Sequence, residues 1–97
     1  MIKSFADDGT YDIYIQRDSQ AARRACPRVL WPAARRKLGQ IADARVIEDL
    51  RSPPGNRLEL LRGDHLGYHS IRINDQYRIR FWFFEGNATE VQILDYH

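Results

Sequence analysis

Strand-forming residues dominate the chain from Arg57 onward, in runs that are separated by turn residues. β-Branched and aromatic residues are frequent in these runs, which cover residues 57–63, 68–74, 77–84 and 90–97. Asn74-Asp75-Gln76 and Glu85-Gly86-Asn87 have the length and composition of hairpin turns. The pattern predicts three or four antiparallel strands, so the second half of the fold must be organised around a sheet.

The run at residues 77–84 alternates between apolar and cationic side chains. Successive side chains of a strand point to opposite faces of its sheet, so one face is predicted to carry Ile79, Phe81 and Phe83. The other face is predicted to carry Arg78, Arg80, Trp82 and Phe84. The short turn at 74–76 then brings Arg72 close to Arg78 or Arg80.

Arginines that face each other across a hairpin repel unless a negative group lies between them. Asp95, Glu59 or a bound phosphate would supply that charge, whereas a solvated face with diverging guanidinium groups would need none. The first interpretation predicts a groove that follows a phosphate backbone and is lined by Arg57, Arg62, Arg72, Arg78 and Arg80. Four aromatic residues are candidates for stacking on bases or for packing in the core, namely Tyr68, Tyr77, Trp82 and Tyr96.

The last run ends in Asp95, Tyr96 and His97, directly after an apolar stretch. A strand would hold these three side chains in place, whereas a fraying terminus gives them no defined position. A carboxylate, a phenol and an imidazole can together move protons. A structural interpretation stays open, in which Asp95 pairs with an arginine and Tyr96 covers the core.

The middle of the chain is predicted to be helical. An apolar stripe with helical spacing consists of Val29, Leu30, Ala33, Ala34, Leu38, Ile41 and Ala42. Pro32 is tolerated in a first turn, so the regular helix is expected to begin near Trp31. A short helical piece is expected at 46–50, and the segment 52–56 (Ser-Pro-Pro-Gly-Asn) is expected to form a turn before the strands.

The segments nearer the N-terminus give weaker patterns. Residues 2–5 alternate as an edge strand does, residues 10–16 fit either a strand or a helix face, and residues 21–27 resemble a linker or a frayed helix end. The order of elements predicts one α+β domain over residues 1–97, with helices packed on one face of an antiparallel sheet.

Composition limits the kinds of site. Thirteen of the fifteen cations are arginine, which matches phosphate geometry, but a GC-rich coding sequence gives the same bias and the net charge is only +2. The single cysteine, Cys26, excludes an intramolecular disulfide and a cysteine-rich zinc site. The three histidines form no metal motif, so we expect no metal and no cofactor. No signal peptide or membrane span is recognisable, and a cytoplasmic protein is expected.

Several motifs, taken in order, resemble HigB-type toxins of the RelE/ParE superfamily of bacterial type II toxin–antitoxin systems. They are Met1-Ile-Lys-Ser-Phe5, Arg62-Gly-Asp64 with Gly67-Tyr-His-Ser-Ile-Arg-Ile-Asn74, Tyr77-Arg-Ile-Arg-Phe81 and Asp95-Tyr-His97. The stretch 50–57 (Leu-Arg-Ser-Pro-Pro-Gly-Asn-Arg) is similar to the GraT-like subgroup. The resemblance covers nearly the whole chain.

The resemblance implies a compact RelE-like (microbial RNase-like) fold, with an N-terminal strand and two helices packed on a curved antiparallel sheet. It also implies a metal-independent endoribonuclease that cuts messenger RNA in the ribosomal A site. A HigA-type helix-turn-helix antitoxin would neutralise the toxin, and operator DNA would be contacted only through that antitoxin.

Site residues carry over motif by motif. Asp95 and Tyr96 correspond to the catalytic C-terminus of the family, and His97 corresponds to its final residue. Arg78 takes the strand position that contacts phosphate. Where many HigB members have a histidine and a lysine three residues apart, this chain has Glu59 and Arg62.

Glu59 is the departure with chemical consequences, because it can act as a base but brings negative charge near the phosphate. On a regular strand residues 59 and 62 point to opposite faces, so a bulge or the turn at Gly63 would have to bring them together. A non-catalytic or weakly catalytic binder that impairs the ribosome or its biogenesis therefore stays open. The C-terminal triplet disfavours a third alternative, a ParE-like inhibitor of DNA gyrase.

Overall fold

The computed structural model describes residues 1–96, which form three α-helices followed by four β-strands. The helices are α1 (Asp8–Tyr14), α2 (Gln20–Ala25) and α3 (Trp31–Asp43). The strands are β1 (Glu59–Leu60), β2 (His69–Arg72), β3 (Tyr77–Phe84) and β4 (Asn87–Asp95). Short 3₁₀ turns occupy Arg28–Leu30, Ile47–Arg51, Pro54–Asn56 and Gly63–His65. The predicted α+β order is confirmed.

The four strands form one antiparallel sheet in the order β1-β2-β3-β4. Beside β4, the N-terminal segment makes two parallel bridges, one between Ile2 and Ala88 and one between Phe5 and Val91. The edge strand predicted at residues 2–5 is present only as these two bridges.

Both predicted hairpin turns are confirmed. The side chain of Asn74 accepts hydrogen bonds from the backbone N–H groups of Gln76 and Tyr77, at 2.9 and 2.7 Å. Glu85 and Gly86 have φ values of 49° and 79°, the pair of positive angles that a type I′ turn requires. Each turn therefore fixes the register of the strands that it joins.

Side-chain caps begin both short helices. Asp7 accepts a hydrogen bond from the backbone N–H of Thr10 at 2.8 Å, and Ser19 accepts one from Ala22 at 3.0 Å. Caps of this kind stabilise a helix by about 1 kcal/mol. The segment that fits either strand or helix in the sequence is thus helical, and the expected linker or frayed helix end contains α2.

The longest helix, α3, begins at Trp31 with a proline in its first turn, as predicted. Ala34, Leu38 and Ile41 are fully buried and face the sheet. The prediction was wrong for Val29, which is 83% exposed. Val29 lies in the preceding 3₁₀ turn, whose period of three residues rotates it away from the stripe.

The core lies between the helices and one face of the sheet. Ile71, Ile79 and Phe81 are fully buried in it, and Phe83 packs against its edge. The predicted alternation along β3 is confirmed, so the arginines of β3 lie on the face opposite the helices.

A β-bulge in β4 decides which side chains of the last strand share that face. Trp82 pairs with Thr89 whereas Arg80 pairs with Gln92, so β4 contains one extra residue between these pairs. Glu90, within the bulge, has φ 53°, a left-handed conformation that is unusual outside glycine. Because side chains alternate along a strand, the extra residue is what places Gln92 beside Arg80.

His69 begins β2 on the core side of the sheet. Its ring stacks on Phe81 with the centroids 6.3 Å apart, and its Nδ1 is buried without a hydrogen-bond partner among residues 1–96. Burial lowers the pKa of His69, and the charge of Glu48 partly opposes this effect. The fold therefore favours the neutral imidazole.

Acidification is expected to destabilise the protein through His69. The unfolded chain binds this proton near pH 6.5 while the folded chain resists it, so stability present above pH 6.5 is lost as the pH falls below that value. His69→Phe keeps the stacked ring and removes the titration, and should reduce this loss. Urea unfolding of both proteins at about pH 7.5 and about pH 5.5 measures it. An equal loss of stability in the two proteins would contradict the assignment.

Candidate active site

Arg78 is the most buried cation on the face of the sheet that points away from the helices. It is only 8% exposed, and its cross-strand partner is Arg72. A buried charge is retained in a fold only when its hydrogen-bonding groups are paired. The acceptors around Arg78 therefore define the centre of the candidate site.

Two neighbouring segments hold the Arg78 guanidinium. Nε donates to the Ser70 hydroxyl at 2.7 Å, and Nη2 donates to the backbone oxygens of Arg57 at 2.6 Å and Ser70 at 3.3 Å. Ser70 lies on the adjacent strand, diagonally across from Arg78, within the reach of a long side chain. These bonds fix the plane of the guanidinium group.

Glu59 brings a carboxylate to the same guanidinium. Its Oε1 lies 3.3 Å from Nη2 of Arg78, and its side chain remains 57% exposed. Burial lowers the pKa of Arg78, and the neighbouring Glu59 and Tyr96 partly oppose this effect. Arginine stays protonated throughout the pH range of proteins, so the pair is an ion pair that solvent or a ligand can reach.

Acidic partners offset the repulsion between the paired arginines. Arg72 forms an ion pair with Asp75 in the hairpin turn, while Arg78 pairs with Glu59. Each of the two arginines thus has its own carboxylate partner, and neither carboxylate bridges the pair. Glu59 was one of the predicted sources of negative charge, and Asp75 adds a second carboxylate.

Arg57 holds Arg78 through its backbone oxygen. Arg57 has φ 46° and ψ 57°, a left-handed conformation that costs a non-glycine residue about 1–2 kcal/mol. The preceding Asn56 is fully buried, and its Nδ2 donates to Gln40 Oε1 at 2.9 Å and to the Leu50 oxygen at 3.2 Å. Lys37 donates to Asn56 Oδ1. Asn56 thus ties the proline-rich segment to α3 and holds the Arg57 carbonyl in place.

Arg80 is the centre of a second cluster on the same face. Its Nη1 lies 2.9 Å from His65 Nδ1, its Nη2 donates to Gln92 Oε1 at 2.6 Å, and its Cζ lies 4.3 Å from the ring centre of Tyr68. A guanidinium only donates, so Nδ1 of His65 must be the acceptor. Gln92 in turn donates to Asp7 at 3.0 Å. Arg80 therefore joins the segment 65–68 to β4.

Adjacent residues at the end of β4 take different positions. Tyr96 lies near the arginine face, with Arg78 Cζ 6.0 Å from the centre of its ring. Asp95 is the cross-strand partner of Tyr77 and accepts a hydrogen bond from Gln76 Nε2 at 3.0 Å. Alternation along a strand explains why the two side chains separate. The structure brings Tyr96 to Arg78 and places Asp95 elsewhere.

Asp95 lines a cleft of about 460 Å³ beside α1 and α2. Arg24 and Tyr77 also line this cleft. Burial raises the pKa of Tyr77, and the negative charge of Asp95 raises it further. Asp95 thus belongs to the helix side of the sheet, across β4 from the surface around Arg78.

The other residues predicted for the site are Arg57, Arg62 and His97. Arg62 is exposed at the start of the turn Gly63–His65 and forms no ion pair within residues 1–96. The Arg57 side chain is exposed, and His97 lies outside the described residues. Which of these residues contact a substrate stays a prediction.

Four residues that build the site are absent from the set predicted for it, namely Ser70, Asn56, His65 and Gln92. The position of Ser70 could have been predicted from the sequence, because the 74–76 turn and strand alternation place it on the arginine face. Asn56 gave only the signal of a turn residue. The sequence gives no signal for His65 or Gln92. His65 reaches Arg80 because the segment 65–68 folds back over the sheet, and Gln92 reaches it because of the bulge in β4.

A metal-binding cluster and a reactive thiol are both absent from residues 1–96. No three His, Cys, Asp or Glu side chains in this range are grouped so that they could hold a metal ion. Burial raises the pKa of the Cys26 thiol to about 11, so it stays protonated and unreactive at neutral pH. Within the same range, every helix is too short or too polar to cross a membrane.

Comparison with known proteins identifies the class. The model of the family "RelE-like toxin of type II toxin-antitoxin system HigB" matches residues 3–97. The chain belongs to this family of HigB-like toxins. Toxin HigB-1 of Vibrio cholerae is 43% identical over 74 residues, which are 76% of this chain and 77% of that protein. An uncharacterized protein of Haemophilus influenzae is 39% identical over 93 residues, 96% of this chain and 88% of that protein.

Solved structures show the same fold. A chain of the YoeB-YefM complex from Staphylococcus aureus aligns with a TM-score of 0.61 and 14% identity, covering 100% of this chain and 98% of that one. A heterotetrameric YoeB-YefM complex from the same organism gives the same values. At this identity the likeness concerns the fold alone, and it confirms the predicted RelE-like fold. The GraT-like subgroup stays a prediction.

Arg80→Lys should loosen the segment 61–68. Lysine keeps the charge but cannot donate in one plane to both His65 and Gln92. We expect amide hydrogens of this segment to exchange roughly fivefold faster, the effect of losing about 1 kcal/mol of local stability. Hydrogen-exchange mass spectrometry measures this, and Arg35→Lys on α3 is the matched control. Unchanged protection of residues 61–68 would refute the role of Arg80 in joining this segment to β4.

Proposed function

We propose that this toxin is a metal-independent endoribonuclease that cuts messenger RNA on the ribosome and thereby stops translation and growth. The observation that carries the proposal is the fixed Arg78 guanidinium, with Glu59 at 3.3 Å and the Tyr96 ring at 6.0 Å. A fixed cation, a carboxylate and a phenol suit cleavage of RNA by its own 2′-hydroxyl. Membership of the HigB-like family supports the same reaction class.

Arg78 is the proposed contact of the scissile phosphate. Ser70 and the Arg57 carbonyl hold its plane before a substrate arrives, so little conformational freedom remains to be lost on binding. Arg72, its cross-strand partner, adds positive charge on the same face. Negative charge builds up on the phosphoryl oxygens in the transition state, and cations fixed in advance stabilise that charge best.

Glu59 is the proposed general base. In the free protein its carboxylate lies against Nη2 of Arg78, the position that a phosphodiester would also seek. A bound phosphate would displace the carboxylate and leave it free to accept the proton of the 2′-hydroxyl. The 2′-oxygen then bonds to phosphorus while the bond from phosphorus to the 5′-oxygen breaks. The products are a 2′,3′-cyclic phosphate and a 5′-oxygen that requires a proton.

Tyr96 is the proposed proton donor to the leaving 5′-oxygen, because its phenol lies near Arg78. His97, the next residue in the sequence, is the second candidate for this step. Asp95 is proposed to position the C-terminal residues rather than to touch the phosphate, since it lies across β4 from Arg78. The exposed Arg62 is proposed to bind a flanking phosphate.

The proposed partners are the ribosome with its messenger RNA and an antitoxin. The ribosome would hold the messenger strand in the geometry for attack, which explains how a small toxin with few groups achieves cleavage. A HigA-type helix-turn-helix antitoxin would neutralise the protein and contact operator DNA. The similarity to toxin chains solved in YoeB-YefM complexes supports an antitoxin partner.

Inducing the protein alone is expected to arrest bacterial growth, and Glu59→Gln is expected to relieve the arrest. The substitution keeps the size of the side chain and removes the base, so cleavage on programmed ribosomes should fall by about 10²–10⁴-fold. Mapping of 5′ ends in translated messages measures the cleavage. Glu85→Gln, in the β3–β4 turn, removes a carboxylate elsewhere and should leave cleavage unchanged. Normal growth with the intact protein would refute the toxin mechanism.

A second function is favoured by the Glu59–Arg78 ion pair, which neutralises part of the charge available to a phosphate. In that case the protein binds the ribosome, or impairs its biogenesis, with little or no cleavage. Growth arrest without new 5′ ends, unaffected by Glu59→Gln, would identify this function.

A further inference from the structure

Trp82 is an exposed indole on the face of β3 that carries the arginines. It is 41% exposed, whereas Trp31 is 7% exposed and donates from Nε1 to the backbone oxygen of Cys26 at 3.0 Å. Large aromatic side chains contribute most to stability when they are buried. Trp31 serves the core in this way, and Trp82 does so only in part.

The ring of Trp82 is nevertheless held in position. Tyr68 packs against it with ring centroids 4.6 Å apart. Gly67 leaves the space that the indole occupies, since a Cβ there would approach two atoms of the Trp82 ring to 2.4 and 2.6 Å. Gly67 also has φ 92°, a conformation that side chains disfavour. A ring fixed in this way loses little freedom when a flat ligand stacks on it.

The Trp82 ring is continuous with the cationic surface. Tyr68 contacts Trp82 on one side and lies 4.3 Å from Cζ of Arg80. Alternate residues of a strand are about 7 Å apart, so Trp82 lies about 13 Å along β3 from Arg78. A strand of RNA with one phosphate at Arg78 would carry a neighbouring nucleotide to the indole.

We propose that Trp82 is a stacking site for a nucleobase that flanks the cleaved position of single-stranded RNA. The proposal rests on the proposed function and assigns the binding of the substrate beyond the scissile phosphate. A fixed aromatic plane beside cations is the arrangement that binds single strands, because bases stack on the ring while phosphates meet the cations. Every nucleobase has a flat aromatic face that can stack on the indole. The site therefore positions the RNA strand without selecting its sequence.

Tryptophan fluorescence can report on Trp82 alone. The chain has two tryptophans, and Trp31→Phe leaves Trp82 as the remaining one. The probe is a single-stranded 2′-O-methyl oligonucleotide, which lacks the attacking hydroxyl and stays intact. Its addition should quench the Trp82 emission in a saturable manner. Unquenched emission overturns the proposal.

Two substitutions separate stacking from apolar contact. Trp82→Leu keeps apolar area but removes the aromatic plane, and should weaken binding of a labelled 2′-O-methyl oligonucleotide about tenfold; Trp82→Phe should weaken it by no more than about threefold. Equal losses in the two variants, or none, overturn the proposal. Loss of binding to a HigA-type antitoxin with unchanged RNA affinity would assign this surface to a protein partner.

Different results would refute the stacking site and the nuclease activity. Glu59→Gln removes the proposed base but should retain the quenching of Trp82. Quenching without any cleavage of messages would leave the stacking site standing and refute the nuclease. Cleavage with identical RNA affinity in the wild type and Trp82→Leu would leave the nuclease standing and refute the stacking site.

Discussion

A guanidinium withdrawn from water organises the exposed face of this sheet. An isolated buried cation would cost several kcal/mol, so Arg78 can be 8% exposed only because separate segments supply its acceptors. β2 supplies Ser70, β1 supplies Glu59, and the proline-rich segment supplies the Arg57 carbonyl. The convergence of these segments therefore fixes both the local structure and the geometry of the candidate site.

The helical layer and the bulge make that convergence possible. Asn56 is bonded to α3 and holds Arg57 in a left-handed conformation, while the bulge at Glu90 delivers Gln92 to Arg80. Arg57 and Glu90, with φ 46° and 53°, are two of the four non-glycine residues in the described range that have a positive φ. Strain at such positions persists only where surrounding contacts compensate for it. At Arg57 the backbone oxygen accepts from Arg78, and at Glu90 the backbone N–H donates to the Ser4 hydroxyl at 2.9 Å.

The site therefore combines a rigid interior with reachable groups at its surface. Arg78 is fixed from within by Ser70 and the Arg57 carbonyl, whereas Glu59 remains 57% exposed and free to exchange one partner for another. This division places a fixed cation beside a carboxylate that a ligand can reach. The separation of Asp95 from Tyr96 across β4 gives these two residues of the C-terminal motif different environments.

The sequence by itself determined the antiparallel sheet, its two hairpins, the start of α3 and the face shared by Arg78 and Arg80. Those features follow from periodicity and turn residues, which act between neighbours in the chain. The same alternation rule requires the side chains of Asp95 and Tyr96 to point to opposite faces of the sheet, although the C-terminal motif suggested that they share one site. Only the tertiary structure decided the roles of Asn56, His65 and Gln92 and the burial of Arg78. Each of these depends on hydrogen bonds between residues distant in sequence, for which local pattern carries no signal.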